Sequence, residues 1–210
     1  MNYFWALICL LSIVACSEQR TKDELPYLGR HEIFQDSADA EGEPVVKKHF
    51  KIPDFELYNQ YGDQMKRTDV EGKVYVADFF FTSCPDPCPT MKEKMKIVYD
   101  RFKGRDDFLL LSHSVDPEYD TVEVLYEFAE KLNANNDNWY FLTGPTEKIY
   151  TLAEDGYMAN AMVDEEAPGG VLHSSFFILI DDEGHIRGIY DGVNQEQVEA
   201  LMADIELLLE

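Results

Sequence analysis

Basic residues are scarce in this chain: 18 Lys and Arg stand against 41 Asp and Glu, a formal charge of −23 over 210 residues. Such a surface has little means of gripping a phosphate backbone, which argues against nucleic acid as a partner. The acids are scattered and not blocked, the pattern of a solubilising surface. Long apolar runs are lacking as well. The run over residues 1–16, MNYFWALICLLSIVAC, is shorter than the roughly 20 residues that span a bilayer as a helix. Cysteine is the third scarcity, with four in the chain, at positions 9, 16, 84 and 88. A hydrophobic fraction of 45% nevertheless suits a folded core. The length suits one domain and a tail, with no internal repeat.

The N-terminal run has the character of a signal-peptide core, which is set aside before fold is considered. It ends Ile13-Val14-Ala15-Cys16 and resembles the bacterial lipobox, whose cysteine receives lipid, although no Lys or Arg precedes the run. The expected organisation is a lipoprotein signal over 1–16, a flexible acidic tether over 17–48 and a single domain over 49–210. The mature domain then keeps Cys84 and Cys88 alone. In an exported, membrane-anchored protein of the bacterial envelope, facing the periplasm or the exterior, that pair is a disulfide, a metal site or a redox couple.

From Phe50 the pattern is that of alternating strands and helices. Phe50–Asp54 and Phe55–Asn59 read as short strands before the turn Tyr61-Gly62-Asp63. Val74 to Phe81, VYVADFFF, is a near-continuous apolar run, as in a strand covered on both faces. Met91, Met95, Val98, Tyr99 and Phe102 mark a helix, and Phe108–Leu111 is another buried strand. Asp120 reads as the cap of a helix carrying Leu125, Phe128 and Leu132. Trp139–Leu142 reads as a strand, and Pro145–Glu154 as a short helix opened by proline. Asp181-Asp182-Glu183-Gly184 joins two strands as a hairpin, and a helix from Gln195 closes the chain. This order predicts a three-layer α/β sandwich with a central mixed sheet, thioredoxin-like, ending in a hairpin and a helix.

The segment Cys84-Pro85-Asp86-Pro87-Cys88 lies between the apolar strand Val74–Phe81 and the helix after it, where strand ends in α/β sheets bind ligands. A helix N-terminus favours a thiolate, and cysteines four apart share a helix face. Two sulfurs so placed can form a disulfide, meet a metal or cycle in redox chemistry. Closing so short a loop constrains the unfolded chain little, so a merely stapling disulfide is the weaker reading. Five histidines could complete a metal site. His31 and His49 fall in or beside the tether, and His185 follows a turn, where a surface role is the default. His113 ends a buried strand. His173 precedes the strand Ser175–Ile180 in a loop that passes over the cysteine-bearing helix start, and spacing alone favours it only modestly over His113.

The segment TSCPDPCPTM, the segment SVDPEYDT at 114–121 and the histidine ahead of Phe176-Phe177-Ile178-Leu179-Ile180-Asp181 resemble the SCO/SenC family. The resemblance covers roughly Phe50 to Glu210. It implies a thioredoxin-fold, membrane-tethered copper protein that takes part in assembling the Cu(A) centre of cytochrome c oxidase. It also implies that Cys84, Cys88 and His173 are the copper ligands and that Asp86 is an acidic position near the metal. Pro87 stands where an aliphatic residue is more usual. Two thiolates and an imidazole suit Cu(I) and can hold Cu(II), whereas structural zinc usually takes four protein ligands. The expected partner is the copper-site subunit of the oxidase or another copper-receiving protein. The expected activity is primarily that of a chaperone, with thiol–disulfide reduction by the Cys84–Cys88 pair beside it. The alternative is an exported thiol–disulfide oxidoreductase or redox sensor that uses the same pair.

Overall fold

A computed structural model describes residues 21–30, 32–38, 44–84, 88–134, 138–159, 161–163 and 171–210. In chain order its strands are β1 (Glu32–Ala38), β2 (Pro44–Lys48), β3 (Glu56–Tyr58), β4 (Gln64–Lys66), β5 (Val74–Phe80), β6 (Phe108–Ser114), β7 (Trp139–Leu142), β8 (Ala161–Val163), β9 (Val171–His173), β10 (Phe176–Ile180) and β11 (Ile186–Asp191). The helices are α1 (Cys88–Phe102), α2 (Val122–Lys131), α3 (Thr146–Thr151) and α4 (Gln195–Leu208).

Every residue of β5 and β6 is buried, the outcome expected where apolar side chains project from both faces of a strand. These two strands pair in parallel with Phe79 opposite His113, and β6 pairs in parallel with β7. On the other side β10 runs antiparallel to both β5 and β11, giving the mixed order β11-β10-β5-β6-β7. Successive strand residues face opposite ways, and ring contacts show what covers each face. Phe80 meets Phe128 of α2 at 5.4 Å, and Tyr99 of α1 meets Trp139 at 5.4 Å. Phe79, on the opposite face, meets Tyr157 at 5.7 Å. Helix α4 joins α1 through Arg101 and Glu206, 2.6 Å apart. The thioredoxin-like layering expected from the sequence is present.

The β10–β11 turn is held by Asp181, whose Oδ1 accepts the N–H groups of Glu183 (3.1 Å) and His185 (2.8 Å). Gly184 adopts φ +90°, a conformation that favours glycine. Elsewhere the structure departs from the local reading. Phe50–Asp54 is not a strand, and the first pairing in the domain is β3 with β4. The cap of α2 is Thr121, which accepts the Val124 N–H, and Asp120 is occupied elsewhere. The pairs β1–β2 and β8–β9 are not anticipated by periodicity, because β8 and β9 are three residues each and β1–β2 falls in polar sequence. Within the stretch expected to be a tether, residues 21–30 dock on the domain: Leu25 is buried, and the Leu28 N–H donates to the Ile186 carbonyl at 2.9 Å. Among the described residues no helix is long and apolar enough to cross a membrane.

Candidate metal centre

Beyond β5 the chain passes through Phe81, Thr82 and Ser83 to Cys84. The Cys84 N–H donates to the Phe81 carbonyl at 3.3 Å, closing a tight turn, and Cys84 is buried. Helix α1 opens at Cys88, so the second cysteine occupies its first residue. Asp86 and Cys16 lie outside the described residues, and Cys88 and His173 are placed by their backbone alone. His173 is the last residue of β9, opposite Ala161. Because β10 is antiparallel to β5 with Ile178 opposite Ala77, two paths lead to one end of the sheet. One runs backward from Ile178 to His173; the other runs forward from Ala77 to Cys84. Among the described side chains no three of His, Cys, Asp or Glu converge on a metal position.

The turn carrying Cys84 is buckled to the loop after β6. The Asp120 carboxylate accepts the Thr82 N–H (3.0 Å), the Thr82 hydroxyl and the Ser114 hydroxyl (2.6 Å). It is fully buried, and burial raises its pKa while these three donors oppose the rise. The loop itself is pinned by the Val115 N–H on the Phe80 carbonyl and by the Tyr150 hydroxyl on the Val115 carbonyl. Asp120, expected from the sequence to cap a helix, instead ties the Cys84 turn to the loop after β6. Its only local signal is an acid flanked by turn residues. Asp120→Ala strands buried donors on Thr82 and Ser114, so it should cost about 2–4 kcal/mol. Urea unfolding reads the loss, and hydrogen exchange at the Thr82 amide should accelerate. Unchanged protection at Thr82 would contradict the buckle.

The other histidines separate by environment. His31 lies outside the described residues. His113 is wholly buried and stacks on Phe79 at 4.9 Å, with Nδ1 3.3 Å from the Asp78 carbonyl. Burial pulls its pKa down to about 4, so it is a neutral core residue. His49 stacks on Tyr27 at 4.0 Å. His185, expected at the surface, is buried instead, with Nδ1 2.7 Å from the Phe50 carbonyl. The chain around Phe50 folds over the turn and covers it. The apolar run Val74–Phe81 also carries a buried acid, Asp78. Its carboxylate accepts the Ser112 hydroxyl at 2.5 Å, and Ser112 accepts the Trp139 indole N–H at 2.9 Å. Burial pushes the Asp78 carboxyl up to about 7 against the lowering effect of that hydrogen bond.

The family model of SCO1/SenC matches residues 44–210. Among solved structures, a SCO1/SenC family lipoprotein from Bacillus anthracis is 33% identical with a TM-score of 0.70, covering 76% of this chain and 95% of that one. BsSco, a member of the Sco family of cytochrome c oxidase assembly proteins in which a disulfide switch is identified, is 30% identical with a TM-score of 0.67. That likeness covers 76% of this chain and 93% of BsSco. ScoI of Arabidopsis thaliana, solved with copper bound, is 26% identical with a TM-score of 0.63, covering 75% of this chain and 99% of that one.

Proposed function

The chain belongs to the SCO1/SenC family, and from that premise we propose that it is a copper chaperone acting in cytochrome c oxidase assembly. Copper is its cargo, held by Cys84, Cys88 and His173. The observation that carries this reading is that the paths to Cys84 and His173 lead to one end of the sheet, with Cys88 as the first residue of α1. The donor set fits the metal: two thiolates prefer a soft ion, and an imidazole extends the preference to Cu(II). Burial of Cys84 favours a site shielded from water, and the Asp120 buckle keeps its turn from drifting as metal enters or leaves.

The same sulfurs support a second activity, favoured by the disulfide switch described for BsSco. In that step a thiolate of the pair attacks a disulfide on the copper-receiving protein. The partner's S–S bond breaks as a mixed disulfide forms and one partner thiolate departs. The second cysteine of the pair then breaks the mixed disulfide, so Cys84 and Cys88 end as a disulfide. Two electrons pass to the partner's sulfurs, and the second cysteine's proton goes to a departing thiolate. Reduction and metal delivery then alternate on one pair of sulfurs.

Reduced protein should bind about one copper, the capacity of a single soft-donor site, and Cys84→Ser/Cys88→Ser should lose it, since an alcohol is a poor substitute for a thiolate. Metal analysis after Cu(I) loading and desalting reads both. Copper retained at full stoichiometry by the double variant would reject the site. Cys16 is the proposed lipid attachment, supported by the lipobox-like Ile13–Cys16 and by the lipoprotein described from Bacillus anthracis. The envelope location follows from it. Cys16→Ala should abolish lipidation while leaving the domain folded. Intact-mass measurement of the wild-type protein from cells, showing Met1 present and Cys16 unmodified, would contradict the anchor.

A further inference from the structure

Arg187, at the start of the edge strand β11, is buried, yet its partners lie largely outside the sheet. Its Nε donates to the Pro26 carbonyl at 3.1 Å, and Nη2 donates to the carbonyls of Lys22 and Leu25, each at 2.8 Å. Nη1 donates to Asp181 Oδ2 at 3.0 Å, so the positive charge is neutralised within the β10–β11 turn. The guanidinium also lies 4.1 Å from the Tyr27 ring centroid. One side chain thus ties down three carbonyls and a ring of the segment 22–27, a latch that needs the planar fork of Arg. Leu25 is buried beneath the segment, and Leu28 bridges to Ile186, extending the sheet edge. Gly29 then turns the chain away at φ +117°, where an added Cβ would lie 2.7 Å from Phe50 Cβ.

The latch has a position in the fold as well as a strength. Ile180, just before the hairpin, lies opposite Tyr75 at the start of β5, whereas Cys84 follows its end. The segment therefore docks at the end of the sheet opposite Cys84, separated from it by the roughly 20 Å length of a seven-residue strand. Between Cys16 and the docked Lys22 the chain spans at most about 20 Å even when fully extended. Inverting the domain would lift Lys22 off the bilayer by the length of β5 and the loops at both its ends, beyond that reach.

We infer that the latched segment is a short standoff that holds the β10–β11 turn toward the lipid surface and presents the Cys84 end outward, away from the bilayer. The inference rests on the anchor at Cys16 proposed above. It implies that the copper-receiving protein is met through a domain projecting from the membrane and not at the lipid surface.

The test uses the full lipidated chain in phosphatidylcholine vesicles that carry an acceptor dye on the headgroup. A fluorescent amino acid is placed by codon suppression at Glu183, in the turn, or at Tyr119, exposed in the loop after β6 at the Cys84 end. Donor emission should fall more at position 183 than at position 119. A flexible Gly-Ser insertion of about twenty residues after Thr21, adding roughly 25 Å of mean reach, should erase the difference. Equal or reversed losses in vesicle-bound protein overturn the orientation, and so does a difference that survives the insertion. Protein that fails to float with the vesicles overturns the anchor instead, so the two failures are separately readable.

Discussion

Asp78→Asn should gain stability over the wild-type protein by roughly 4 kcal/mol as pH rises from 4 to 8, beyond any constant offset between the two. The wild-type carboxyl, held near 7 in the folded state against an ordinary 3.8, is favoured by folding in its protonated form. That contribution is complete below about pH 4 and is lost as pH climbs through 7, because ionisation strands a charge among Ser112, Trp139 and the apolar strands. Asparagine keeps an acceptor for the Ser112 hydroxyl and cannot ionise. His113 works in the opposite sense. Its folded pKa near 4 lies below the ordinary 6.5, so stability is lost as pH falls through that window, by about 3 kcal/mol. Between pH 4 and 6.5 the two slopes offset in the wild type. The Asn variant should expose the His113 slope and become steadily more stable from pH 4 to 6.5. Urea midpoints for both proteins across this range decide the matter, and parallel profiles would mean that Asp78 titrates as an ordinary surface acid.

The residues legible from the sequence are those whose surroundings are local. The run Val74–Phe81 announces a doubly covered strand, and Asp181–Gly184 announces its hairpin. The stripe after Gln195 announces α4. Cys84 and Cys88 stand out in the sequence because strand, cysteines and helix are contiguous, and the structure keeps that order. The role of Asp120 is not legible because its partners, Thr82 and Ser114, lie apart from it in the chain, while an acid before a helix is the usual sign of a cap. The burial of His185 is not legible because the chain that covers it, at Phe50, is remote in sequence. The segment 22–28 looks like linker by composition. What docks it is one Arg whose charge is met by Asp181, and such a pairing leaves no periodicity to read. The choice between His173 and His113 is of the same kind, since each lies near the end of a strand. Burial settles His113 as core.

The central claim, that Cys84, Cys88 and His173 hold copper, is tested most directly by titrating Cu(II) into His173→Ala and His113→Ala side by side. The thiolate-to-copper absorption is followed, with the folded state of each verified first. Imidazole supplies a neutral third donor, and Cu(II) depends on it more than Cu(I), which accepts two thiolates. Losing an outer partner of a metal ligand costs about 10- to 100-fold in affinity, so losing a ligand should cost Cu(II) on the order of a hundredfold or more. The account predicts that His173→Ala weakens binding on that scale and shifts the absorption, while the cysteines can still form a disulfide. His113→Ala should keep the spectrum and pay only in stability, since its ring fills space among Phe79, Phe55 and Tyr157. A spectrum that survives in His173→Ala and collapses in folded His113→Ala would contradict the ligand set.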